Sequence, residues 1–418
     1  MIADDLFAGA GGWDLAAEAL GIHARGVENM EAARATRDAA GLTTIHDDVW
    51  TYKPRYIGRE MQASGLIASP PCQTFSAAGK GAGRKALDDV LALIPQVPHM
   101  TLAELRAAAD TLGGDERTAL VLTPLWFAVH HPYRWLAWEQ VPTVLPVWEA
   151  CADALRACEW NVTTGLVHSE QYGVPQTRKR AVLIAHRTRA VALPAPTHSL
   201  YHLRNPEKLD EGVLPWVSMA DALPELSGVD GMTAEVGRSL LRDGKKPMRP
   251  IGAPAFTVHG GAKDGEGGGI RHRWHMVSNY GSGGDASNRG VRTSDQPAPT
   301  ITSKIDRNVI EFQRRNAGPG AERAPRSIHE PSYTIRASGS GSHPSGVQLE
   351  DAEGDKTRVT ARQAGILQSF PADHPWQGTK GRQYLQVGNA VPPLMALHVL
   401  AEATGLALPV LTATEAVA

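Results

Sequence analysis

Ile2-Ala3-Asp4-Asp5-Leu6-Phe7-Ala8-Gly9-Ala10-Gly11-Gly12 is a short strand-like run that ends in a glycine-rich turn. A helical stretch from Trp13 to Leu20 follows, and Gly21 is well placed to stop it. Strand, glycine turn and helix in that order bring bare backbone close to a ligand at the start of the helix. Working outward, His23 to Glu28 reads as the next strand, Ala32 to Ala40 as the next helix and Gly65 to Ala68 as a third strand. The segments Tyr133 to Trp138 and Ala181 to Ala185 bring the strands to at least five. This alternation predicts an α/β fold with a doubly wound, mostly parallel, Rossmann-like sheet. Ligands in such sheets bind at the carboxyl ends of the strands.

A chain of 418 residues has room for two domains, or for one catalytic domain carrying a sizeable insertion. Its 42% hydrophobic content describes a globular protein with a substantial core. The three cysteines, Cys72, Cys151 and Cys158, form no CxxC pair, so neither a disulfide framework nor a metal site is expected. No basic region followed by an apolar stretch opens the chain, and no run of about 18 apolar residues occurs, so neither a signal peptide nor a membrane span is expected.

Beyond about residue 195 the texture changes. Residues 231–350 hold 19 of the 42 glycines, and 17 Lys and Arg against 11 Asp and Glu. That local surplus of six leaves the rest of the chain at −8, against a total of −2. A basic, loop-rich region inside a near-neutral chain is compatible with a polyanion partner. It carries a short repeat, Arg249 to Thr257, Arg292 to Thr300 and Arg326 to Thr334: Arg, four residues, Pro, two residues, Thr, then Val or Ile. A recurring turn before an edge strand accounts for it; arginines aimed at phosphates are the sharper alternative. Helical signals return at Val359 to Leu367 and at Pro392 to Ala403, the latter with proline near its start.

Four further elements carry chemistry. Glu28, after the second strand, can accept hydrogen bonds from ribose hydroxyls, and Asp47 and Asp48 can contact an adenine amino group or simply occupy a turn. Ser69-Pro70-Pro71-Cys72-Gln73-Thr74-Phe75-Ser76 directly follows a strand, and two prolines present the cysteine at the sheet edge. A thiolate there is the soft nucleophile that adds to an electron-poor ring carbon. Cys151 and Cys158 sit on a helix-like stretch and read as core. Trp138-Glu139-Gln140-Val141-Pro142 puts a carboxyl group at another strand end, either as a cap or as a group that holds or donates a proton on a ring nitrogen. In Gln176-Thr177-Arg178-Lys179-Arg180, alternation places Gln176, Arg178 and Arg180 on one face, which suits a carbonyl oxygen and a phosphate; a solvated basic edge strand is the alternative.

Together these segments resemble the DNA (cytosine-5) methyltransferase family of bacterial and phage type. The ordered set is Asp5 to Gly12, Pro70 to Gln73, Glu139 to Val141, Gln176 to Arg180, and Gln386-Val387-Gly388-Asn389-Ala390-Val391-Pro392-Pro393. Gln368-Ser369-Phe370-Pro371 is similar to the family's penultimate motif. The resemblance implies a class I S-adenosylmethionine-dependent fold with a smaller, loop-rich, β-containing target-recognition domain. It implies an S-adenosylmethionine pocket lined by Phe7, Ala8, Gly9, Gly11, Gly12, Glu28, Asn29, Asp47, Asp48, Pro71, Asn389 and Val391, with Glu28 on the ribose and Asp48 on the adenine. Cys72 would attack cytosine C6, Glu139 would contact N3 and the exocyclic amine, and Arg180 assisted by Arg178 would bind O2. Gln73, Ser76 and Gln176 would touch DNA. The implied partner is double-stranded DNA, the implied state a monomer without metal, in the cytoplasm of a bacterial or phage-infected cell and associated with the nucleoid. A cognate restriction endonuclease is a compatible further partner.

The expected division is a catalytic domain over 1–200, a target-recognition domain over 201–370 and a C-terminal segment over 371–418 that returns to the catalytic domain. Two departures from the family pattern stand out. Gln140 occupies the position where the family usually has Asn, the amide that braces the cysteine loop. Residues 84–114 look inserted after the cysteine motif, and the spacing of Leu91, Ile94 and Leu102 to Leu112 suggests an added helix or two.

Overall fold

A computed structural model describes residues 1–57, 60–61, 63–71, 87–109, 116–202, 208–217, 219–223 and 360–409, together with strand segments at 275–278, 298–299, 308–311, 349–350 and 356–357. Among the described residues, ten strands precede residue 190. These are β1 (Ile2–Leu6), β2 (His23–Val27), β3 (Thr43–His46), the small hairpin β4 (Tyr56–Ile57) and β5 (Glu60–Met61), β6 (Gly65–Ala68), β7 (Trp135–Gln140), β8 (Asn161–His168), β9 (Gln176–Thr177) and β10 (Lys179–His186). Seven of them form one sheet in the order β3-β2-β1-β6-β7-β10-β8. The pairs from β3 through β7 are parallel, and β10 runs antiparallel to both β7 and β8. The expected mostly parallel, doubly wound sheet is therefore present.

The helices used below are α1 (Gly12–Ala19), α2 (Glu31–Ala39), α3 (Leu87–Leu93), α4 (Leu102–Ala109), α5 (Thr123–His130), α6 (Leu145–Ala157), α7 (Ala361–Ile366), α8 (Lys380–Asn389) and α9 (Pro393–Thr404). Side-chain alternation along β10 shows how the layers form. Ala181, Leu183 and Ala185 join a cluster with Phe127, Val147, Trp148 and Cys151. Val182 and Ile184 face the opposite cluster, with Trp13, Met395, Val399 and Leu400. Helix α9 thus packs against α1 on the second face, which returns the C-terminal helix to the first strand–helix unit. Trp13, Trp138 and Trp148 are almost wholly buried. Each contributes a gross ~4–6 kcal/mol of apolar burial, before the entropy of ordering is subtracted.

Several boundaries differ from expectation. β7 spans Trp135–Gln140 rather than Tyr133 to Trp138, so Glu139 and Gln140 lie within the strand instead of beyond it. Strands β3 and β8 were not legible; they are the two edges of the sheet, and their residues are mostly half-buried, which weakens the apolar pattern. The segment expected to be an insertion contributes α3, a 3-10 turn over Ile94–His99 and α4. It is part of the core: Val90, Ile94, Val97 and Leu105 are buried in the first cluster, and Trp126 Nε1 donates to the Met100 carbonyl at 2.8 Å. Cys151 is buried, as expected, and Cys158 packs half-buried against the same cluster. Of the loop-rich region, β11 (His275–Ser278) pairs antiparallel with β13 (Asn308–Glu311), and β12 (Ala298–Pro299) pairs with β9. The remainder of the three repeats lies outside the described residues. Among the described residues, no helix is long and apolar enough to cross a membrane.

Candidate active site

The chain leaves β1 through a tight turn. Phe7, a non-glycine residue, takes φ of 65°, and the Phe7 and Ala8 amides both donate to the Val27 carbonyl at 2.9 and 3.2 Å. Holding a bulky residue in the left-handed region costs on the order of 1 kcal/mol, which the surrounding bonds offset. Glu28 fastens the turn from the next strand: Oε2 accepts from the Gly9 amide at 2.8 Å and Oε1 from the Met30 amide at 2.7 Å. Each carboxylate oxygen can accept more than one hydrogen bond, so Glu28 can hold the turn and still receive ribose hydroxyls. At Gly12, the close neighbour is the C-terminal motif. A Cβ there would lie 2.0 Å from the Val391 carbonyl oxygen, so only glycine lets residues 390–392 cross the start of α1.

Two further groups brace this turn. Arg37, on α2, is fully buried and forks onto Asp14 of α1, with both Nη–Oδ distances at 2.7 Å. It also donates to the Thr43 carbonyl and the Thr44 hydroxyl, and so ties the first helix to β3. The empty side of Gly26 makes room for it, since a Cβ there would sit 2.3 Å from Arg37 Nη2. Burial, then the neighbouring Asp14 carboxyl, push the Asp5 carboxyl well above its ordinary range. His374 lies between Phe370 and Trp376, tilted against the first ring and edge-on to the second, with ring centroids at 4.8 and 4.6 Å. Burial holds it down at about 4 despite a hydrogen bond to the Ala10 backbone, so it is neutral at neutral pH. Neither the Arg37–Asp14 pair nor His374 was legible: the members of each contact lie far apart in the chain and share no motif.

The second half of the site lies at the ends of β6 and β7. Ser69 accepts from Trp13 Nε1 at 2.8 Å, and its amide donates to the Leu6 carbonyl at 3.2 Å, so the Ser69-Pro70-Pro71 segment is fixed beside the β1 turn. Gln140 Nε2 donates to the Pro70 carbonyl, and Gln140 Oε1 accepts from the Val141 amide. The longer amide therefore does reach the cysteine loop. Cys72, Gln73 and Ser76 themselves lie outside the described residues.

Glu139 and Arg180 form a buried ion pair, Oε1 to Nε at 2.6 Å, with side-chain exposures of 6% and 9%. Arg178 is buried, donates from Nη1 to the Gly388 carbonyl at 3.3 Å and receives support on its amide from Glu170. Gln176 is also buried, while Thr177 is half-buried and Lys179 exposed. Burial thus alternates along the run, and the solvated-edge alternative fails, because Gln176, Arg178 and Arg180 are all buried.

Of the remaining cofactor candidates, Asp48 is half-buried, with Oδ1 accepting from the Trp50 amide at 2.9 Å. Asp47, Asn29 and Asn389 are exposed. Val391 is buried against Gly12. The structure thus gathers the β1 turn, Glu28 and residues 388–391 on one side, with Arg178 bonded to Gly388 and the Glu139–Arg180 pair on the neighbouring strands. Among the described residues, no group of three or more His, Cys, Asp or Glu could hold a metal ion.

A family model described as C-5 cytosine-specific DNA methylase matches residues 1–97 and 144–228. The type II methyltransferase M1.HphI of Haemophilus parahaemolyticus is 23% identical over 413 residues, covering 96% of this chain and 85% of that protein. The type II methyltransferase M.AplI of Arthrospira platensis is 22% identical, covering 95% and 83%. Among solved structures, the Entamoeba histolytica methyltransferase EhMeth superposes with a TM-score of 0.51 at 12% identity, covering 97% of this chain and 98% of that one. The S. pombe Dnmt2 methyltransferase gives 0.50 at 16%, covering 96% and 97%. These two agree in fold. Over residues 1–97 and 144–228 the chain is thus similar to the C-5 cytosine-specific DNA methylases, and over nearly its whole length to type II methyltransferases.

Proposed function

We propose that this protein transfers a methyl group from S-adenosylmethionine to carbon 5 of a cytosine flipped out of double-stranded DNA, through a covalent bond from Cys72 to C6. The observation that carries the reading is the buried Glu139–Arg180 pair, with Glu139 on β7 beside the strand that leads into Cys72 and Arg180 on β10, one strand further on. Strand β6 ends at Ala68, opposite Trp138 of β7, and Gln140 grips the Pro70 carbonyl. Two residues later comes Cys72. A carboxylate and two guanidinium groups therefore lie at the end of the sheet from which the chain runs on toward Cys72.

In this reading the pocket formed by the β1 turn, Glu28, Pro71 and Val391 holds S-adenosylmethionine, which supplies an electrophilic methyl group. Glu28 receives the ribose, and Asp48 the adenine. The Cys72 thiolate adds to C6, forming an S–C6 bond, and the displaced π electrons move to C5. Carbon 5 takes the methyl group, and the sulfonium electrons return to sulfur. Loss of the C5 proton to a base then regenerates the C5–C6 double bond and expels the Cys72 thiolate. Glu139 faces N3 and the exocyclic amine, and Arg180 with Arg178 faces O2, drawing charge away from C6. The target ring atoms are inaccessible in a stacked duplex, so the base must leave it, at a cost of a few kcal/mol that protein contacts offset. Gln73, Ser76 and Gln176 contribute to those contacts. The remaining base contacts come from residues 231–350, within a recognition domain spanning 201–370. As in the relatives named above, the setting that fits is a type II modification enzyme.

Incubation with labelled S-adenosylmethionine and unmethylated DNA, followed by digestion to nucleosides, tests the reading. Label should appear in 5-methyldeoxycytidine. Cys72→Ser should abolish turnover, and 5-fluorocytosine DNA should trap the wild-type enzyme covalently. Label in RNA but not in DNA would overturn the proposal.

A further inference from the structure

One sequence pattern is not absorbed by this reading: the threefold repeat of Arg, four residues, Pro, two residues, Thr. Its second copy contains Pro297-Ala298-Pro299, and Ala298–Pro299 form β12. This strand pairs in parallel with β9, Ala298 opposite Gln176 and Pro299 opposite Thr177. The next residue is Arg178, and two further on is Arg180, whose guanidinium holds Glu139. Strand β12 also lies alongside β11, which pairs with β13. Strands of the basic, glycine-rich segment therefore lie beside the strand that leads into the two arginines.

The composition of β12 suits a short tether. Pro297 and Pro299 carry no backbone N–H, so Ala298 provides the sole donor in that tripeptide, and both prolines fix φ. Such a strand can add a rung to β9 but cannot be extended into a wider ladder. The other copies read Pro254-Ala255-Phe256 and Pro331-Ser332-Tyr333, with one proline each. The doubled proline is peculiar to the copy that meets the arginine strand.

We propose that Ala298–Pro299 is a positioning latch, through which the target-recognition segment sets the register of Gln176–Thr177 and hence the aim of Arg178 and Arg180 at the base. The inference rests on the function proposed above. It makes β12 a positioning element: it acts through the arginines and does not touch the reacting atoms.

Ala298→Pro removes the donor while keeping the strand extended. The expected result is a fall in kcat of about tenfold or more, as for a small misplacement of catalytic groups, with KM for S-adenosylmethionine and Kd for DNA within about twofold of wild type. Covalent trapping by 5-fluorocytosine DNA should slow in parallel. Ala298→Ser, which keeps the N–H, should behave as wild type. Amide hydrogen exchange over residues 176–180 should accelerate in Ala298→Pro and not in Ala298→Ser. If Ala298→Pro does not fold, Pro299→Gly, which frees φ but keeps the donor, should lower kcat by a smaller factor, about two- to threefold. Wild-type kcat in a folded Ala298→Pro protein, or a loss confined to DNA affinity, overturns the latch. A wild-type protein that methylates no DNA instead overturns the proposed function. The exchange comparison needs no turnover and still decides whether the latch exists.

Discussion

Replacing Arg180 by Met leaves the Glu139 carboxylate in its place without its cation. Both side chains are more than nine-tenths buried and the contact is 2.6 Å, so solvent screens the pair little. Removing one partner of a buried pair costs about 3–5 kcal/mol, because the surviving charge stays desolvated. The companion Glu139→Gln/Arg180→Met variant removes both charges and should recover most of that loss, since two neutral groups of similar size fill the space. The assay is urea denaturation of the wild type, both single variants and the double variant. At about 2–3 kcal/mol per molar of urea, Arg180→Met should lower the midpoint by about 1–2 M, and the double variant by much less. Neither variant should form 5-methyldeoxycytidine, so stability and turnover separate. An Arg180→Met protein within about 1 kcal/mol of wild type, with no coupling in the cycle, would refute the reasoning that this pair is a buried charge pair.

Three other outcomes follow from the same geometry. Gly12→Ala forces the Val391 carbonyl to retreat by more than 1 Å from its place 2.0 Å from the new Cβ; it should cost about 1–3 kcal/mol and weaken S-adenosylmethionine binding, read as a smaller ligand-induced rise in Tm. Gln140→Leu strips the Pro70 carbonyl of its donor and the Val141 amide of its acceptor; kcat should fall while KM for S-adenosylmethionine holds, which steady-state kinetics checks. His374 and His398 are both held down at about 4 by burial, so the unfolded chain binds more protons than the folded one between about pH 4 and 6.5. Stability is therefore complete above about pH 6.5 and is lost as pH falls toward 4, by about 1–2 kcal/mol per histidine at pH 5. Urea midpoints measured from pH 7.5 to 5 should show this slope, and His398→Leu should flatten it.

What could be read from the chain depended on how local the cause was. The β1 turn, the Pro-Pro-Cys segment and the Gln-Thr-Arg-Lys-Arg run each concentrate their signal in a few consecutive residues, and backbone constraints from Gly and Pro mark them out. Strand β7 was placed two residues early because Glu139 and Gln140 read as polar residues past a strand end. They are in the strand because Arg180 and the Pro70 carbonyl, 41 and 70 residues away, satisfy them. The Arg37–Asp14 fork is hidden for the same reason. A polar residue on a helix reads as solvent-facing until the fold supplies a partner, and Gly26 opposite Arg37 gives no sign of the space it vacates. Residues 84–114 show helical spacing, but that spacing alone cannot tell a surface appendage from the core layer that α3 and α4 form with α5 and α6.

Three tethers decide how the two halves of the site depend on each other. Gln140 ties β7 to the Pro70 carbonyl, Arg178 ties the arginine strand to the Gly388 carbonyl, and Gly12 admits the Val391 carbonyl over the start of α1. Residues 388–391 consequently form a wall shared by the β1 turn on one side and Arg178 on the other. A carbonyl displaced at either end moves a backbone that both sides use, and close-packed interiors transmit such shifts rather than absorb them. Substitutions in the glycine turn should therefore disturb the arginines as well as the cofactor pocket. Substitutions at Gln140, attached to the Pro70 side and not to this wall, should disturb the nucleophile's loop alone. The difference between these two patterns, a joint loss of ligand affinity and turnover against a loss of turnover only, follows from which carbonyl each side chain holds.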